Sequence, residues 1–350
     1  MGAQLIRTVN PNVPGFAAII AIALCAFLIS LFGYKLVHLY ALWSWIPTFI
    51  VFILLLGVFA NTGDFINLRM EGGTSEMGKV LSFGSVVFGF ATAWSSYAAD
   101  YTVYQPSNQR RWKMFLSAWL GMAFPLLFSQ MLGVAVISAT GLNNGENAYK
   151  VGYDASGIGG LLGAILYPHL GKFGSFCLII FALSTIASDC PNLYSLALSL
   201  QVLTRRTRCI PRFIWTFIGV CIYVGIAIPG FSHFETLLQN CMNVIGYWLA
   251  IYEGISITDH FLFKRGFAGY RVENYDQPSQ LPPGFAAVGA ICCGVAGVVL
   301  SMSQSWYVGP VALAAGQAPH GGDVAFEMGF ALAAFGHIIL RPIEIKFLKR

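Results

Sequence analysis

The sequence contains few charged residues. Asp, Glu, Lys and Arg make up 10% of its 350 residues, whereas 57% are hydrophobic and the mean hydropathy is +0.68. A soluble domain carries roughly 25% charged residues, which it needs to cover its surface. The shortage excludes an ordinary soluble globular protein and predicts an integral membrane protein whose apolar side chains face lipid.

The usual signatures of catalysis and metal binding are also missing from the sequence. Its six histidines never fall four residues apart, and neither an H-E-x-x-H motif, a P-loop nor a G-x-S-x-G elbow occurs. The eight cysteines form no C-x-x-C pair, so we interpret them as packing residues rather than as zinc ligands or a disulfide framework. We therefore predict no enzyme activity, no cofactor and no metal site.

Positive charge is spread along the chain rather than gathered in one patch. The net charge of +5 comes with no basic cluster of the kind that binds nucleic acid. Most Lys and Arg residues fall in alternate loops, which is typical of cytoplasmic loops and places the C-terminus in the cytoplasm. The same alternation places the N-terminus outside, yet residues 1–12 contain no signal peptide, so we expect the beginning of the membrane domain to be missing.

Long apolar runs predict the membrane-spanning helices. A helix needs roughly 17 to 25 such residues to cross the hydrocarbon core, and nine runs qualify. The predicted spans are approximately 14–32, 43–60, 81–99, 113–140, 173–203, 212–230, 238–261, 284–303 and 324–340. A short re-entrant or interfacial helix is predicted over 157–171, and residues 61–79 and 141–156 are predicted to be solvated loops.

The fifth of these spans contains a polar cluster at bilayer depth, formed by Ser188, Asp189, Pro191 and Asn192. An aspartate at a helix centre costs about 2.5 to 3.5 kcal/mol on insertion scales, so a binding site or ion pathway is the default hypothesis. Proline removes one backbone donor and frees a carbonyl four residues earlier for a ligand or ion. The sequence leaves open whether Asp189 is protonated, paired or in a wet cavity.

Residues four apart share one helix face, so Ser184, Ser188 and Asn192 form a polar stripe. Their hydroxyl and amide groups are suited to hydrogen-bonding a flat polar ligand. The alternative is that they bond neighbouring helices, as Ser and Asn often do in membranes.

The third span carries glycines, including Gly89, before a tryptophan at Trp94. An indole near mid-span offers a broad face to an aromatic ligand, and stacking contributes about 0.5 to 1.5 kcal/mol beyond area burial. The alternative is an interfacial anchor, a common role of tryptophan. In the seventh span, Glu253 is a proton acceptor, a gate residue or half of a structural pair, and the sequence does not rank these roles.

Several stretches carry a resemblance to a known family. They are 83–90 (FGSVVFGF), 94–106 (WSSYAADYTVYQP), 191–195 (PNLYS), 33–40 (GYKLVHLY) and 247–253 (YWLAIYE). Together they resemble the fungal purine-cytosine permeases of the nucleobase:cation symporter-1 family, over essentially the whole chain.

This resemblance implies an all-α integral membrane protein with the inverted-repeat, leucine-transporter-like fold. The nine spans then match helices four to twelve of twelve in a single transporter domain, 1–350, that is truncated at its N-terminus. Residues 14–60 would end the first repeat, 81–262 would form the second inverted repeat, and 284–341 would form two C-terminal helices.

The resemblance also implies roles for individual residues. Trp94 would stack on the base, and Asn192 would recognise its polar edge with support from Pro191. Ser188 and Asp189 stand where relatives commonly carry amides, so they would alter selectivity. The complete predicted substrate-binding set is Trp94, Asn192, Pro191, Ser188, Asp189 and Gly89.

The implied function is secondary active transport of purine bases and cytosine by alternating access. Ile186 and Ala187 stand where sodium-coupled relatives carry hydroxyl residues, so proton coupling is predicted, with Glu253 and Asp189 as proton or gating candidates. The expected partners are cytosine, adenine, guanine, hypoxanthine, a proton and the lipid bilayer. The resemblance implies a multi-pass protein of the plasma membrane. The rival hypothesis is a non-transporting truncated pseudotransporter or a regulatory membrane subunit.

Overall fold

The computed structural model describes residues 1–348 with a few gaps. The residues outside the description are Leu68, Arg69, Glu71, Tyr97, Tyr104, Ser107, Arg205, Val272, Asn274, Tyr275, Asp276, Pro278, Ser279, Lys349 and Arg350. Tyr97 and Tyr104 of the 94–106 motif therefore lie outside the described residues.

The described part of the chain is helical and contains no strand, apart from an isolated bridge between Ser303 and Val308. Short 3-10 turns and one π-helical segment connect or extend the α-helices. The α-helices are α1 (Gly2–Val9), α2 (Gly15–Leu31), α3 (Tyr34–Thr62), α4 (Thr74–Thr92), α5 (Ala98–Thr102), α6 (Arg111–Ser138), α7 (Ala148–Leu170), α8 (Lys172–Val202), α9 (Arg212–Gly230), α10 (Phe234–Thr258), α11 (Phe285–Ser301), α12 (Pro310–Ala315) and α13 (Ala325–Leu348).

Each of the nine predicted spans coincides with one helix: α2, α3, α4, α6, α8, α9, α10, α11 and α13. Six helical segments among the described residues are long and apolar enough to cross a membrane, one of which contains both α9 and α10. Helices α2 and α11 are apolar but shorter, with 17 residues each. The predicted all-α membrane class is confirmed, and the inverted repeat with its division into 14–60, 81–262 and 284–341 stays a prediction.

The prediction of a solvated loop over 141–156 is wrong in its second half. Helix α7 already begins at Ala148, where the Asn147 side chain accepts a hydrogen bond from the Lys150 N–H at 2.8 Å. This is an N-cap, a signal that the sequence carries in the asparagine itself. The helix bends at Gly157, whose φ of 60° is open to glycine without strain, and continues through the predicted short helix.

The described chain divides into two compact units. The first contains Met1–Arg69 and Gln105–Phe234, and the second contains Met70–Tyr104 and Glu235–Arg350.

Helix α8 is the centre of the first unit and packs against α1, α2, α3, α7 and α9. Its buried side chains Cys177, Leu178 and Phe181 join Leu161 and Ile165 of α7 in the main apolar cluster. Of the eight cysteines, Cys177 and Cys190 are buried as the packing interpretation requires, and both lie on α8. The other cysteines are exposed on the surface of the chain: Cys25, Cys209, Cys221, Cys241, Cys292 and Cys293.

In the second unit, α11 and α13 form the most extensive helix pair. Small residues allow the two backbones to approach: a Cβ on Gly297 would lie 2.9 Å from the Met328 carbonyl oxygen, and one on Gly294 would lie 3.0 Å from the Ala333 Cβ. Such small-residue contacts are a common way for helices to pack in membranes, where no hydrophobic force drives them together. Helices α4, α5, α10 and α12 also belong to this unit.

Candidate functional site

The predicted site residues are divided between the two units. Ser188, Asp189, Pro191 and Asn192 belong to α8 in the first unit. Gly89, Trp94 and Glu253 belong to the second unit, and each group has its own local geometry.

On α8, residue spacing decides which side chains are buried. Ile186, Cys190 and Leu193 face the interior of the unit and are buried, whereas Ser188 and Asn192 are exposed. Residues 186, 190 and 193 are three or four apart, as are 188 and 192, so each set occupies its own face of the helix. The predicted polar stripe is therefore present as an exposed edge on an otherwise well-packed helix.

The buried face of α8 is tied to α2 close to the polar cluster. The Ser30 hydroxyl donates to the Cys190 carbonyl oxygen at 3.4 Å, and the Cys190 thiol lies 3.7 Å from the Ala26 carbonyl oxygen. Helix α8 runs without interruption through Pro191, which is itself buried. These contacts hold the exposed edge on a rigid support.

The Asn192 carboxamide stands on this edge. Among the described residues its Nδ2 donates to the Ser188 carbonyl oxygen at 3.0 Å, which uses one of the two N–H donors that a carboxamide has. Ser184, one turn further along the stripe, donates to the Phe181 carbonyl oxygen at 2.8 Å. The Ser184 hydroxyl therefore bonds within its own helix, and its role in the stripe stays a prediction.

Asp189 is half-buried between the exposed edge and α9. The Tyr223 hydroxyl of α9 donates to its Oδ2 at 3.4 Å, which is a long contact for an O–H···O bond. Of the three states that the sequence left open, this geometry favours a paired carboxyl group, held by a weak bond.

Trp94 follows the end of α4 in the second unit. The α-helix gives way at Ala93–Ser96 to a 3-10 turn, and 39% of the Trp94 surface is exposed. A change from α to 3-10 geometry re-aims side chains and often marks a functional segment. The Ser95 hydroxyl of this turn donates to the Thr92 carbonyl oxygen at 2.7 Å.

Gly89 is buried where α4 crosses α10. A Cβ on Gly89 would lie 2.0 Å from the Met242 carbonyl oxygen and 3.3 Å from the Gly246 nitrogen, so only glycine fits there without displacement of a backbone. The structure assigns this glycine a helix-packing contact, and its predicted contact with substrate stays a prediction.

A further polar cluster surrounds Asp323, a residue that the sequence interpretation passed over because it directly precedes the last apolar run. Asp323 is fully buried and accepts hydrogen bonds from Ser85 of α4 and Tyr247 of α10. A glycine pair at 321–322 followed by a carboxylate and a helix start is the signal that was available. Its pattern is typical of a helix cap, and the structure adds partners from other helices.

Outside the membrane-spanning helices, Tyr149 at the start of α7 donates to the Asp64 carboxylate, which follows α3, at 2.5 Å. Burial, and then this hydrogen bond and the negative charge of Asp64, raise the pKa of Tyr149 above its usual value. The phenol therefore stays protonated and keeps donating at neutral pH.

In the described part of the chain, no three His, Cys, Asp or Glu side chains gather closely enough to hold a metal ion.

The helical architecture and the long apolar helices of the described residues define a multi-pass membrane protein. A family model described as a permease for cytosine/purines, uracil, thiamine and allantoin matches residues 2–318. The chain belongs to this family. The predicted resemblance is confirmed, and so is the prediction that the protein is not an enzyme, since the family consists of permeases.

Individual relatives agree with the family match. The chain is 60% identical over 350 residues to the purine-cytosine permease fcyB of Emericella nidulans, covering 100% of this chain and 68% of that protein. It is 41% identical to the purine-cytosine permease FCY2 of Saccharomyces cerevisiae, covering 100% of this chain and 66% of that protein. The vitamin B6 transporter TPN1 of the same yeast is 26% identical, with 99% and 67% covered. No solved structure gives a significant match.

The chain spans about two thirds of the length of the curated relatives that it matches.

Proposed function

We propose that this protein transports purine bases and cytosine across the plasma membrane as a proton-coupled symporter that works by alternating access. The substrate class rests on the permease family and on the 60% identity to a purine-cytosine permease. The single structural observation that supports it best is the exposed Asn192 carboxamide on a helix whose other face is tightly packed.

Each proposed contact follows from the local geometry of its own unit. The exposed Asn192 carboxamide keeps one N–H donor and its carbonyl acceptor for the polar edge of cytosine, adenine, guanine or hypoxanthine. The partly exposed Trp94 indole provides a flat apolar face on which a heterocycle can stack. Ser188 and Asp189 adjoin the carboxamide and would tune which base is preferred.

The Asn192→Ala substitution in the full-length protein tests the site. We expect it to abolish uptake of radiolabelled cytosine and adenine in cells that lack their own nucleobase permeases, while the abundance of a fluorescently tagged protein at the plasma membrane stays the same. Ser199→Ala is the matched control, because Ser199 is exposed on the same helix two turns away and should keep wild-type uptake. Unchanged uptake kinetics in Asn192→Ala would refute the site assignment.

Proton coupling is tested separately. We propose that a proton gradient biases which side the transporter opens to, and that this requires a group with different proton affinity in the two states. Uptake should rise when the external pH is lowered and should fall when a protonophore is added. It should not change when external sodium is replaced by another cation. Glu253→Gln and Asp189→Asn then show which carboxyl group carries the coupling: the variant that loses the pH dependence of uptake identifies it. Uptake that requires sodium and is insensitive to protonophore would contradict the proposal.

A further inference from the structure

One face of α4 is lined by small residues that all make close contacts within the second unit. Gly78, Ser82, Ser85 and Gly89 follow one another at intervals of three or four residues, so they share one side of the helix. A Cβ on Gly78 would lie 2.7 Å from the Gly321 carbonyl oxygen. Near the other end of the helix, Gly89 contacts α10. This face of α4 is therefore closely packed at both of its ends.

Between these two glycines, Ser82 and Ser85 of α4 are both bonded to Asp323. The Ser85 hydroxyl donates to Asp323 Oδ1 at 3.1 Å, and the Ser82 Oγ accepts from the Asp323 backbone N–H at 3.1 Å. Asp323 and Ser85 are almost completely buried, with 0% and 1% of their surface exposed. Buried charged groups of this kind are stable only where hydrogen bonds replace water.

The same carboxylate collects donors from three other segments. Oδ2 accepts from the Tyr247 hydroxyl of α10 and from the Ser303 N–H after α11, the latter at 2.9 Å. Oδ1 also accepts from the Ala325 N–H at the start of α13, at 3.1 Å. The Gln304 amide in turn donates to the Tyr247 oxygen at 2.6 Å, which fixes the phenol. One carboxylate thus links α4, α10, the segment after α11 and α13.

The acceptor capacity of this carboxylate is fully used. A carboxylate offers about four lone-pair positions, and four donors already point at this one. Charge-assisted bonds are also roughly twice as strong as neutral ones, so the cluster is suited to hold helices in register.

The part of α4 that contacts Asp323 leads directly to the 3-10 turn that contains Trp94. Phe88 stacks on Phe326 of α13 with ring centroids 4.0 Å apart. One turn later α4 ends, and the 3-10 turn with Trp94 follows directly. Helix α4, which leads into this turn, and α10 are both bonded to Asp323.

We propose that Asp323 is a positioning residue for base recognition: it fixes α4 against α10 and α13 and so sets the orientation of Trp94. This inference rests on the proposed function of Trp94. Loss of the Asp323 network should weaken stacking more for a two-ring purine than for cytosine, because more ring area depends on the indole.

The first test measures selectivity. In the full-length protein, Ser85→Ala and Asp323→Asn should raise the KM for adenine about three- to ten-fold, which is the range that lost stacking covers, and should raise the adenine-to-cytosine ratio of KM. Tyr247→Phe should show the same change in ratio with a smaller amplitude. Ser75→Ala, the same substitution nearer the start of α4, should leave both values unchanged. Reduced abundance with unchanged KM values and ratio would overturn the proposal and leave Asp323 a purely structural residue.

The second test is independent of transport. Ser96→Cys places a thiol in the exposed turn beside Trp94, and its labelling rate by a maleimide in isolated membranes reports the local geometry, with the unsubstituted protein as the background for native cysteines. Adding Asp323→Asn should change this rate by about threefold or more, whereas adding Ser75→Ala should not. An unchanged rate would overturn the positioning role. If the rate changes while the wild-type protein takes up no base, the proposed function fails and the positioning of α4 stands.

Discussion

Two carboxylates, Asp189 in the first unit and Asp323 in the second, differ in how completely their hydrogen bonds are satisfied. Asp323 is fully buried and accepts from two hydroxyl groups and two backbone N–H groups. Asp189 is half-buried, receives a long bond of 3.4 Å from Tyr223, and adjoins the exposed Asn192 and Ser188.

The difference distinguishes a polar group that stabilises the fold, Asp323, from polar groups that can bind a ligand, those beside Asp189. A polar group whose donors and acceptors are all matched inside the protein has no capacity left for a ligand, whereas an exposed polar edge keeps that capacity. Intramembrane polarity alone therefore does not locate a binding site. The degree of satisfaction of the polar groups has to be considered as well.

The two carboxylates should differ most in how much each contributes to the stability of the folded protein. Asp323→Ala leaves four donors without their acceptor, and each buried unpaired donor costs about 1–3 kcal/mol, so we expect a loss of at least about 3 kcal/mol. Asp189→Ala removes one long bond and should cost about 1 kcal/mol or less. Thermal melting of the detergent-solubilised, fluorescently tagged protein measures both. Equal melting temperatures for the two variants would remove the distinction.

Within the second unit, two glycines of α4 should differ in their tolerance of a methyl group. Gly89→Ala forces a methyl group against the Met242 carbonyl oxygen and should cost about 1–3 kcal/mol through overpacking. Gly84→Ala on the same helix is the control, since nothing lies within 4 Å of its added methyl group. Alanine there should be neutral or stabilising by up to about 1 kcal/mol because of its helix propensity. The same melting assay applies, and similar losses in both variants would contradict the close crossing of α4 and α10.

A smaller effect should appear in transport rather than in stability. Trp94→Leu keeps apolar volume but removes the ring, so the KM for adenine should rise about 2- to 10-fold, the equivalent of about 0.5–1.5 kcal/mol of stacking. Trp94→Phe keeps an aromatic face and should stay closer to wild type. Uptake kinetics at matched surface abundance decide the matter. If Trp94→Leu and Trp94→Phe give the same KM for adenine, Trp94 has a packing role and does not stack on the base.

The smallest effect concerns a charge pair that is exposed to water. Lys150 and Asp154 are bonded across one turn of α7, and both side chains are largely exposed. Exposed pairs of this type contribute about 0.5 kcal/mol or less. Lys150→Met should therefore leave the melting temperature within about 1 °C of wild type. A clear drop would indicate that surface pairs in this protein rival the buried Asp323 cluster.

Much of the fold was predictable because hydropathy determines membrane helices so strongly. Each of the nine predicted spans is helical among the described residues, since an apolar run in lipid must bond its own backbone and does so as a helix. The start of α7 was missed because its first turns, around Lys150 and Asp154, are too polar to resemble a span. The cap at Asn147 was present in the sequence, but a single asparagine is common in loops as well.

The candidate site was predictable only in part. Ser188 and Asn192 were recognised because their spacing places them on one helix face, and the structure exposes that face. Asp323 was missed because its partners, Ser85 and Tyr247, lie 238 and 76 residues away along the chain. Such partners come together only in the folded protein, and periodicity along one helix contains no information about them.

The backbone contact at Gly89 has a consequence for how this family can diversify. Where two helices touch at a glycine, no smaller residue exists, and every larger residue pushes the helices apart. Substitutions at that position should therefore be rejected during evolution. The exposed edge of α8 imposes no such restriction, because a new side chain at Ser188 changes the surface offered to a substrate without moving a neighbour. Changes in substrate preference should therefore accumulate along that edge while the α4–α10 crossing keeps its glycine.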